Sequence, residues 1–411
     1  MSCVTRLKEL FRKIDYEFYL FAFLMLDLVA RCPLEVNPWM TPNYILNFDQ
    51  GFSTRLLIGS VVKFFFPDFV TGRQLFQFVF VALTLLNLLV AVLCGRVLRM
   101  YRNETRGVIY VLMAYLASPA ALTYLVTQEN MGRLEIYLLI LTLVQIVVLL
   151  RVKNVFVKYA LVLLLSGACC MIHQIYIFMF FPLVFVCGVY NVFEAKNKKK
   201  ELIVGGLVFV LIGAFFLYLQ LFSSINLNSI SAVKAYIETR TDYAYLDDNI
   251  YYEYFAQLKE HWTNFWIRDL TYNLRHTVVT LIFLLPLFGF IVSIWKKAYR
   301  CCKEKRIKWM FTLMQLSNLA MLPVWLIMVD WERYIAVHII LEFGMILILL
   351  YKRNSYMITA VKQTAGGVEK HMFLYLLFLL FLFTLDKLDA RCYQPYIVDY
   401  LANIVKMFLP G

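Results

Sequence analysis

Long apolar runs alternate with short polar segments along the whole chain. About 20 apolar helical residues are needed to cross a hydrocarbon core of roughly 30 Å, and eleven runs approach or exceed that length. The pattern predicts an all-α polytopic integral membrane protein, with one transmembrane domain covering residues 1–411. The eleven predicted transmembrane helices are 15–31, 74–94, 108–127, 135–150, 155–172, 175–193, 202–222, 277–295, 309–329, 335–350 and 372–388.

One apolar stretch is too long for a single crossing. Between Val155 and Phe193 the chain is apolar apart from a few side chains, chiefly those of Lys158, His173 and Gln174. As one helix, this stretch would span nearly two bilayers at about 1.5 Å per residue. We therefore predict two helices that turn at His173 and Gln174.

The basic residues give the predicted bundle an orientation. Short cytoplasmic loops carry an excess of lysine and arginine. With the N-terminus inside, the predicted inner segments contain 26 of the 40 Lys and Arg residues. We predict a cytoplasmic N-terminus, an outer C-terminus and a multi-pass protein of the cytoplasmic (inner or plasma) membrane. The net charge of +13 then needs no nucleic-acid partner.

Composition supports the membrane class and assigns no metal site. The chain is 62% hydrophobic and 16% charged, whereas soluble domains have roughly 45–50% apolar and about 25% charged residues. The nine cysteines include no CxxC pair, and no His or Cys residues have zinc-site spacing. The sequence calls for no cofactor and leaves a divalent metal ion open.

The only long outer segment covers residues 223–275 and is rich in aromatic residues. Their mixed three- and four-residue spacing predicts a helix at the membrane interface, while an ordinary aromatic belt stays open as the alternative. These aromatic residues are Tyr251, Tyr252, Tyr254, Phe255, Trp262, Phe265, Trp266 and Tyr272.

Four outer turns are unusually polar for their length, and three of them contain arginine. Arg55, Arg133 and Arg333 lie on the side of the membrane where topology does not require positive charge. Guanidinium binds phosphate through two hydrogen bonds, so we predict that these arginines bind a lipid phosphate. Acidic neighbours such as Glu135 leave a local ion pair open for each. The four turns are 49–55, 128–135, 173–174 and 330–334.

Acidic residues and histidines in the same turns are candidates for catalysis. Asp49 lies two residues before Gly51 in the first outer loop and can accept a proton from a substrate hydroxyl, while Ser53 fits better as the cap of the following helix. We predict catalytic or orienting roles for Asp49, Asp330 and His173. The predicted substrate-binding residues are Arg55, Arg133, Glu135, Arg333 and His338.

His338 also shares a helix face with Glu342, four residues further on. Ionisable residues at membrane depth are costly and mark functional sites. A polar track descending from the outer mouth and a structural hydrogen bond between the two side chains both remain open.

The architecture resembles the GT-C superfamily of membrane glycosyltransferases, which use a carboxylate in the first outer loop. Asp49 is the matching position, although many members carry paired acids there and Asp49 is alone. The Gly51-Phe52-x-x-Arg55-x-x-x-Gly59 pattern, Gly132-Arg133-x-Glu135 and His173 are also similar to bacterial membrane proteins of surface-polysaccharide clusters.

The resemblance implies transfer of a sugar or glycan from a polyprenyl-phosphate carrier to a glycan acceptor, with membrane lipid as the surrounding partner. Polymerases and ligases of the O-antigen type would use the same residues. A transporter or flippase of lipid-linked glycan is the rival from another class, and it should show internal repeats and interrupted helices. A non-catalytic scaffold is the third alternative.

Overall fold

The computed structural model describes residues 15–127, 130–244, 270–326 and 331–385, with positions 254, 263 and 266. In these ranges every predicted span coincides with a helix, or with helices separated by a short break, so the all-α class is confirmed. The longer helices are α1 (Tyr16–Arg31), α2 (Leu57–Phe65), α3 (Gly72–Tyr101), α4 (Gly107–Leu116), α5 (Glu135–Arg151), α6 (Val155–Ile172), α7 (Phe181–Glu194), α8 (Lys198–Phe222), α9 (Ile230–Arg240), α10 (Leu270–Cys301), α11 (Lys305–Ser317), α12 (Trp331–Tyr351), α13 (Ser355–Lys370) and α14 (Met372–Thr384).

Several helices are long and apolar enough to cross a membrane. Among the described residues there are five, or six if the bent pair α13 and α14 forms one span. The chain is therefore a membrane protein with transmembrane helices. The number of eleven crossings and the orientation of the termini stay predictions, and residues 386–411 lie outside the described ranges. The five helices are α3, α6, α8, α10 from Thr277 onwards, and α12.

Helix α12 is the centre of the bundle. Of its apolar window, 72% is buried, against 22–39% in the other four candidate spans. It packs against α3, α7, α10 and α13. After its first turn α12 is apolar except for His338 and Glu342, and a helix that is apolar on nearly all sides is expected to be surrounded by other helices.

Three predicted spans are interrupted in the structure. The run 108–127 breaks at Ser118, before a short helix at Pro119–Leu122. The run 175–193 divides into Tyr176–Met179 and α7, and the run 309–329 passes from α11 through a 3₁₀ turn, Asn318–Met321, to Leu322–Trp325. Proline lies in the first turn after each break because it needs no N–H partner there.

The basic segment 352–370, counted among the predicted inner segments, is helical, and the sequence analysis did not predict a helix there. It forms α13, which begins after Asn354, whose side chain accepts a hydrogen bond from the Met357 N–H. The helix buries a stripe at three- and four-residue spacing. That stripe consists of Met357, Ala360, Val361, Thr364, Ala365 and Val368.

A two-residue antiparallel ladder fixes the loop predicted to be the first outer loop. Strand β1 (Gly51–Phe52) pairs with β2 (Ser224–Ile225), which directly follows α8. Gly51 has a φ of +126°, and a Cβ there would lie 2.6 Å from the Ser224 carbonyl oxygen, so only glycine fits without strain. The predicted interfacial helix within 249–272 lies largely outside the described residues.

Candidate anion-binding site

Arg55 lies between β1 and α2 and has an uncommon backbone conformation. Its φ is +70°, a region that non-glycine residues rarely adopt and that costs on the order of 1–3 kcal/mol. A hydrogen bond from its N–H to the Met171 carbonyl, 2.9 Å long, attaches it to the end of α6. The strained backbone thus brings Arg55 next to the turn that contains His173.

His173 ends α6 and is held as a neutral donor. Its Nδ1 accepts a hydrogen bond from the Ile175 N–H at 3.1 Å. Burial lowers the pKa of His173 well below its ordinary value, and the positive charges of Arg55 and Arg133 lower it further. A neutral imidazole that accepts at Nδ1 carries its proton on Nε2. His173 therefore presents an N–H donor beside two guanidinium groups.

The turn before α5 supplies Arg133. Its Nε donates to the Asn130 side-chain oxygen at 2.6 Å. Gly132 has a φ of +93°, and a Cβ there would lie 2.4 Å from a methyl carbon of Val36. The Gly132 carbonyl accepts a hydrogen bond of 2.6 Å from the Tyr44 hydroxyl. The turn is therefore packed firmly against residues 36–44, and this fixes where the Arg133 side chain begins.

Two residues beyond Arg133, a buried ion pair joins α5 to α12. Glu135 and Arg333 approach to 3.0 Å, with side chains only 3% and 8% exposed. Tyr44 also lies here: burial, with contributions from Tyr137 and the Glu135 carboxylate, raises its pKa well above the ordinary value. The sequence left open a local ion pair for Arg333, and among the described residues Arg333 pairs with Glu135, almost 200 residues away in the chain.

A buried hydrogen-bond network supports the His173 turn, and the sequence analysis missed it. Gln145 Oε1 accepts from Ser166 at 2.8 Å and from the Tyr176 hydroxyl at 2.9 Å, and Gln145 Nε2 donates to Cys169 Sγ at 3.6 Å. Ser166 and Cys169 share a face of α6 with His173, since their spacings are three and four residues. Polar residues at that spacing inside an apolar helix were the available signal.

Asp49 lies at an exposed position. Its side chain is 58% exposed and forms an ion pair with Lys63 in the last turn of α2. It lies in a 3₁₀ turn whose capping residues are Asn47 and Gln50. An acidic group in this position is accessible to a large substrate.

Ser53 does not cap the following helix, contrary to expectation. Helix α2 begins at Leu57, and its N-cap position, Leu56, makes no side-chain cap. The Ser53 hydroxyl instead bonds that of Ser223, at 3.4 Å. The short pairing of β1 with β2 delays the helix, because residues 51 and 52 are extended.

His338 and Glu342 have different surroundings, although they share a helix face. The Glu342 carboxylate accepts hydrogen bonds from Trp295 Nε1 (2.6 Å), Gln315 Nε2 (3.2 Å) and Asn318 Nδ2 (2.5 Å). The His338 ring packs against Trp325, with centroids 6.0 Å apart. Glu342 thus belongs to the break after α11, and His338 to an aromatic cluster. Asp330 lies outside the described residues.

The structure therefore brings together Arg55, Arg133 and His173, with Glu135 and Arg333 attached through the same turn. Two guanidinium groups and an N–H donor attract an oxyanion and repel a metal ion. Among the described residues, no three His, Cys, Asp or Glu side chains are grouped to hold a metal. We refer to Arg55, Arg133 and His173 as the anion cluster.

Comparisons with known proteins give no relative for this chain: no family model matches it, and no curated protein or solved structure does.

Proposed function

We propose that the chain is a membrane glycosyltransferase that uses a polyprenyl-phosphate-linked sugar or glycan at the outer face of the cytoplasmic membrane, in the assembly of surface polysaccharide. The observation that carries this proposal is the anion cluster. Arg55, Arg133 and His173 come from three separate segments, and the charges of the two arginines act on the histidine. A phosphate group is the ligand that such a donor set fits best.

The proposed chemistry is electrostatic. When the bond between sugar and carrier phosphate breaks, negative charge grows on the phosphate oxygens. Arg55 and Arg133 neutralise that charge, and the Nε2–H of His173 donates to one of the oxygens. Removal of a single preorganised donor of this kind lowers the rate by a factor of about 10²–10³.

In this proposal Asp49 orients or deprotonates the acceptor hydroxyl. Its exposure and its easily exchanged contact with Lys63 allow an acceptor to reach it. Asp330 is proposed to orient the sugar. The buried Glu135–Arg333 pair positions the turn that carries Arg133. Through that turn, Arg333 is also attached to the anion cluster.

An aromatic cluster next to Arg333 suits the sugar or the acceptor glycan. Trp325 lies 5.3 Å from Trp331 and 6.1 Å from Tyr334 between ring centroids, and it also contacts His338. Both tryptophans are only partly buried. Sugar rings present apolar C–H faces that pack on aromatic rings, so this cluster supports the assignment of His338 to the substrate region.

The topology belongs to the same proposal. Eleven crossings with the N-terminus in the cytoplasm place the anion cluster at the outer face. The interrupted parts of the three broken spans would then lie towards the same face. A carrier lipid in the outer leaflet would then reach the cluster laterally, with its phosphate at the height of Arg55 and Arg133.

The first experiment compares Arg55→Gln and Arg133→Gln with Arg353→Gln. Arg353 has an exposed ion pair with Glu104 and is a matched control for charge loss. Carrier-linked glycans are extracted from membranes that contain each variant. We expect unprocessed carrier-linked sugar to accumulate with the first two variants and normal glycans with Arg353→Gln. Normal glycans with all three variants would refute the proposal.

A polymerase or ligase of the O-antigen type would use the same residues on longer glycans, and the length of the accumulated glycan separates it from a transferase of single sugars. A parallel reaction with EDTA tests for a divalent metal ion: loss of activity that added Mg²⁺ or Mn²⁺ restores would add a metal to the proposal.

A transporter or flippase of lipid-linked glycan is favoured by one observation. The chain between α11 and Leu322–Trp325 is interrupted inside the predicted span 309–329, and the buried carboxylate of Glu342 binds Asn318 at that interruption. Interrupted helices with polar groups near the midplane are typical of transporters.

Purified protein in detergent distinguishes the two classes, because no membrane remains to be crossed. Carrier-linked sugar and acceptor glycan, both extracted from the same membranes, serve as substrates. Transfer of the sugar in detergent, reduced at least 100-fold in Arg133→Gln, supports the transferase. No transfer in detergent, together with accumulation of carrier-linked sugar in intact membranes, supports the transporter.

A further inference from the structure

A cavity lies between α3, α5 and α12, towards the C-terminal ends of these helices and far from the anion cluster. Its volume is about 120 Å³, roughly ten times what one water molecule needs on the same measure. Most of its walls consist of valine, leucine, isoleucine and phenylalanine side chains. Apolar cavities of this size do not hold water stably and accept hydrocarbon ligands.

The cavity extends along the helices that line it. On α12 its lining runs from Ile340 to Tyr351, which is about 16 Å along a helix axis. That is close to half of the roughly 30 Å hydrocarbon core, so it matches the depth of one leaflet. Helices α5 and α12 run parallel, since Glu135 contacts Arg333 at their beginnings and Arg151 contacts Tyr351 at their ends.

Two arginines lie at one end of this apolar channel. Arg96 and Arg151 both line it and are both exposed. The Arg151 guanidinium lies over the Tyr351 ring at 5.3 Å. Within the described ranges neither arginine forms an ion pair, whereas Arg99, three residues after Arg96, binds Glu17 at 2.6 Å. An apolar channel that ends in two guanidinium groups is complementary to an anionic amphiphile: the channel fits the hydrocarbon chain and the guanidinium groups fit the anionic headgroup.

We propose that this cavity binds one anionic phospholipid of the leaflet next to the basic loops. One hydrocarbon chain fills the channel, and the phosphate of the headgroup lies between Arg96 and Arg151. The lipid occupies a place that the bundle otherwise leaves unfilled between α3 and α12, so it stabilises the packing of the central helix. This site is separate from the anion cluster, and its test does not depend on glycosyl transfer.

The test uses the full-length protein purified in detergent, with native mass spectrometry to count bound lipids. Dioleoyl phosphatidylglycerol and dioleoyl phosphatidylcholine are added separately. We expect one phosphatidylglycerol per chain, bound at least tenfold more tightly than phosphatidylcholine. The double variant Arg96→Gln/Arg151→Gln should lose that preference, and Arg99→Gln, which removes one positive charge from the helix that carries Arg96, should keep it.

A second variant tests the channel itself. Val147→Trp places an indole in the cavity and should weaken the binding of both lipids, provided that it elutes as a single species like the wild-type protein. If it does not fold, the arginine variants still decide. Equal binding of the two lipids, or equal loss in Arg99→Gln, would overturn the headgroup assignment. Displacement of phosphatidylglycerol by inorganic phosphate would overturn the role of the hydrocarbon chain.

Discussion

The buried pair of Glu135 and Arg333 allows a quantitative test of how strongly an ion pair joins α5 to α12. The two groups are 3.0 Å apart and their side chains are 3% and 8% exposed. At an effective dielectric constant of about 20, their attraction is about 5–6 kcal/mol. Much of it is offset by the cost of removing two charges from water. Removal of one charge leaves the other buried alone, which costs about 3–5 kcal/mol, whereas removal of both costs little.

A double-mutant cycle measures this coupling. Glu135→Gln and Arg333→Met should each lower the melting midpoint in detergent by on the order of 5–10 °C, and the double variant should recover most of the loss. Arg353→Met is the control. Its pair with Glu104 is 55% and 36% exposed, so the expected loss is about 0–1 kcal/mol.

The double variant also separates two roles of Arg333. If it is stable but inactive in glycan transfer, the pair serves the substrate site, through contact with substrate or through the position of Arg133. If it is stable and active, the pair is structural, and the assignment of Glu135 and Arg333 to substrate binding fails. Additive losses in the cycle, or single losses no larger than that of Arg353→Met, would refute the reasoning about burial itself.

Three further outcomes follow from the geometry. The folded protein holds the pKa of His173 below the unfolded value of 6.5, so the contribution of His173 to folding stability is complete above that pH. Below it, the free energy of unfolding falls by up to about 1.4 kcal/mol per pH unit. Melting midpoints should therefore decrease with falling pH, and less steeply in His173→Gln than in the wild-type protein. Gly132→Ala should destabilise by more than about 1 kcal/mol, because φ is +93°, while the control Gly206→Ala, with nothing near its Cβ, should be neutral or stabilising. Asp49→Asn should change the melting midpoint by no more than about 2 °C, since the pair of Asp49 with Lys63 is exposed. It should lower the rate of glycan transfer about 10²-fold or more, whereas Lys63→Gln should retain transfer. An active Asp49→Asn would remove Asp49 from the mechanism.

The sequence predicted the positions of the helices because apolar runs of this length have few alternatives in a membrane. It also predicted that Arg55, Arg133 and His173 belong to one side of the bundle, since topology places their turns there. It could not give the pairing of Glu135 with Arg333 across almost 200 residues, which depends on how α5 packs beside α12. Helix α13 was missed because charge was counted in that segment and its apolar stripe was not.

The interrupted helices connect these observations. Tyr176–Met179, just after His173, packs against the 3₁₀ turn Asn318–Met321, and Pro119–Leu122 packs against α12. The breaks therefore gather around the half of α12 that begins at Arg333. Backbone that leaves the helical ladder at membrane depth persists only where protein or a water-filled cavity satisfies its polar groups. A continuous apolar run hides such breaks from a count of hydrophobic residues, although the prolines at 119, 182 and 323 mark them. The opposite half of α12 lines the apolar cavity, so we propose polar substrate chemistry at the end where these breaks gather and lipid binding at the other end.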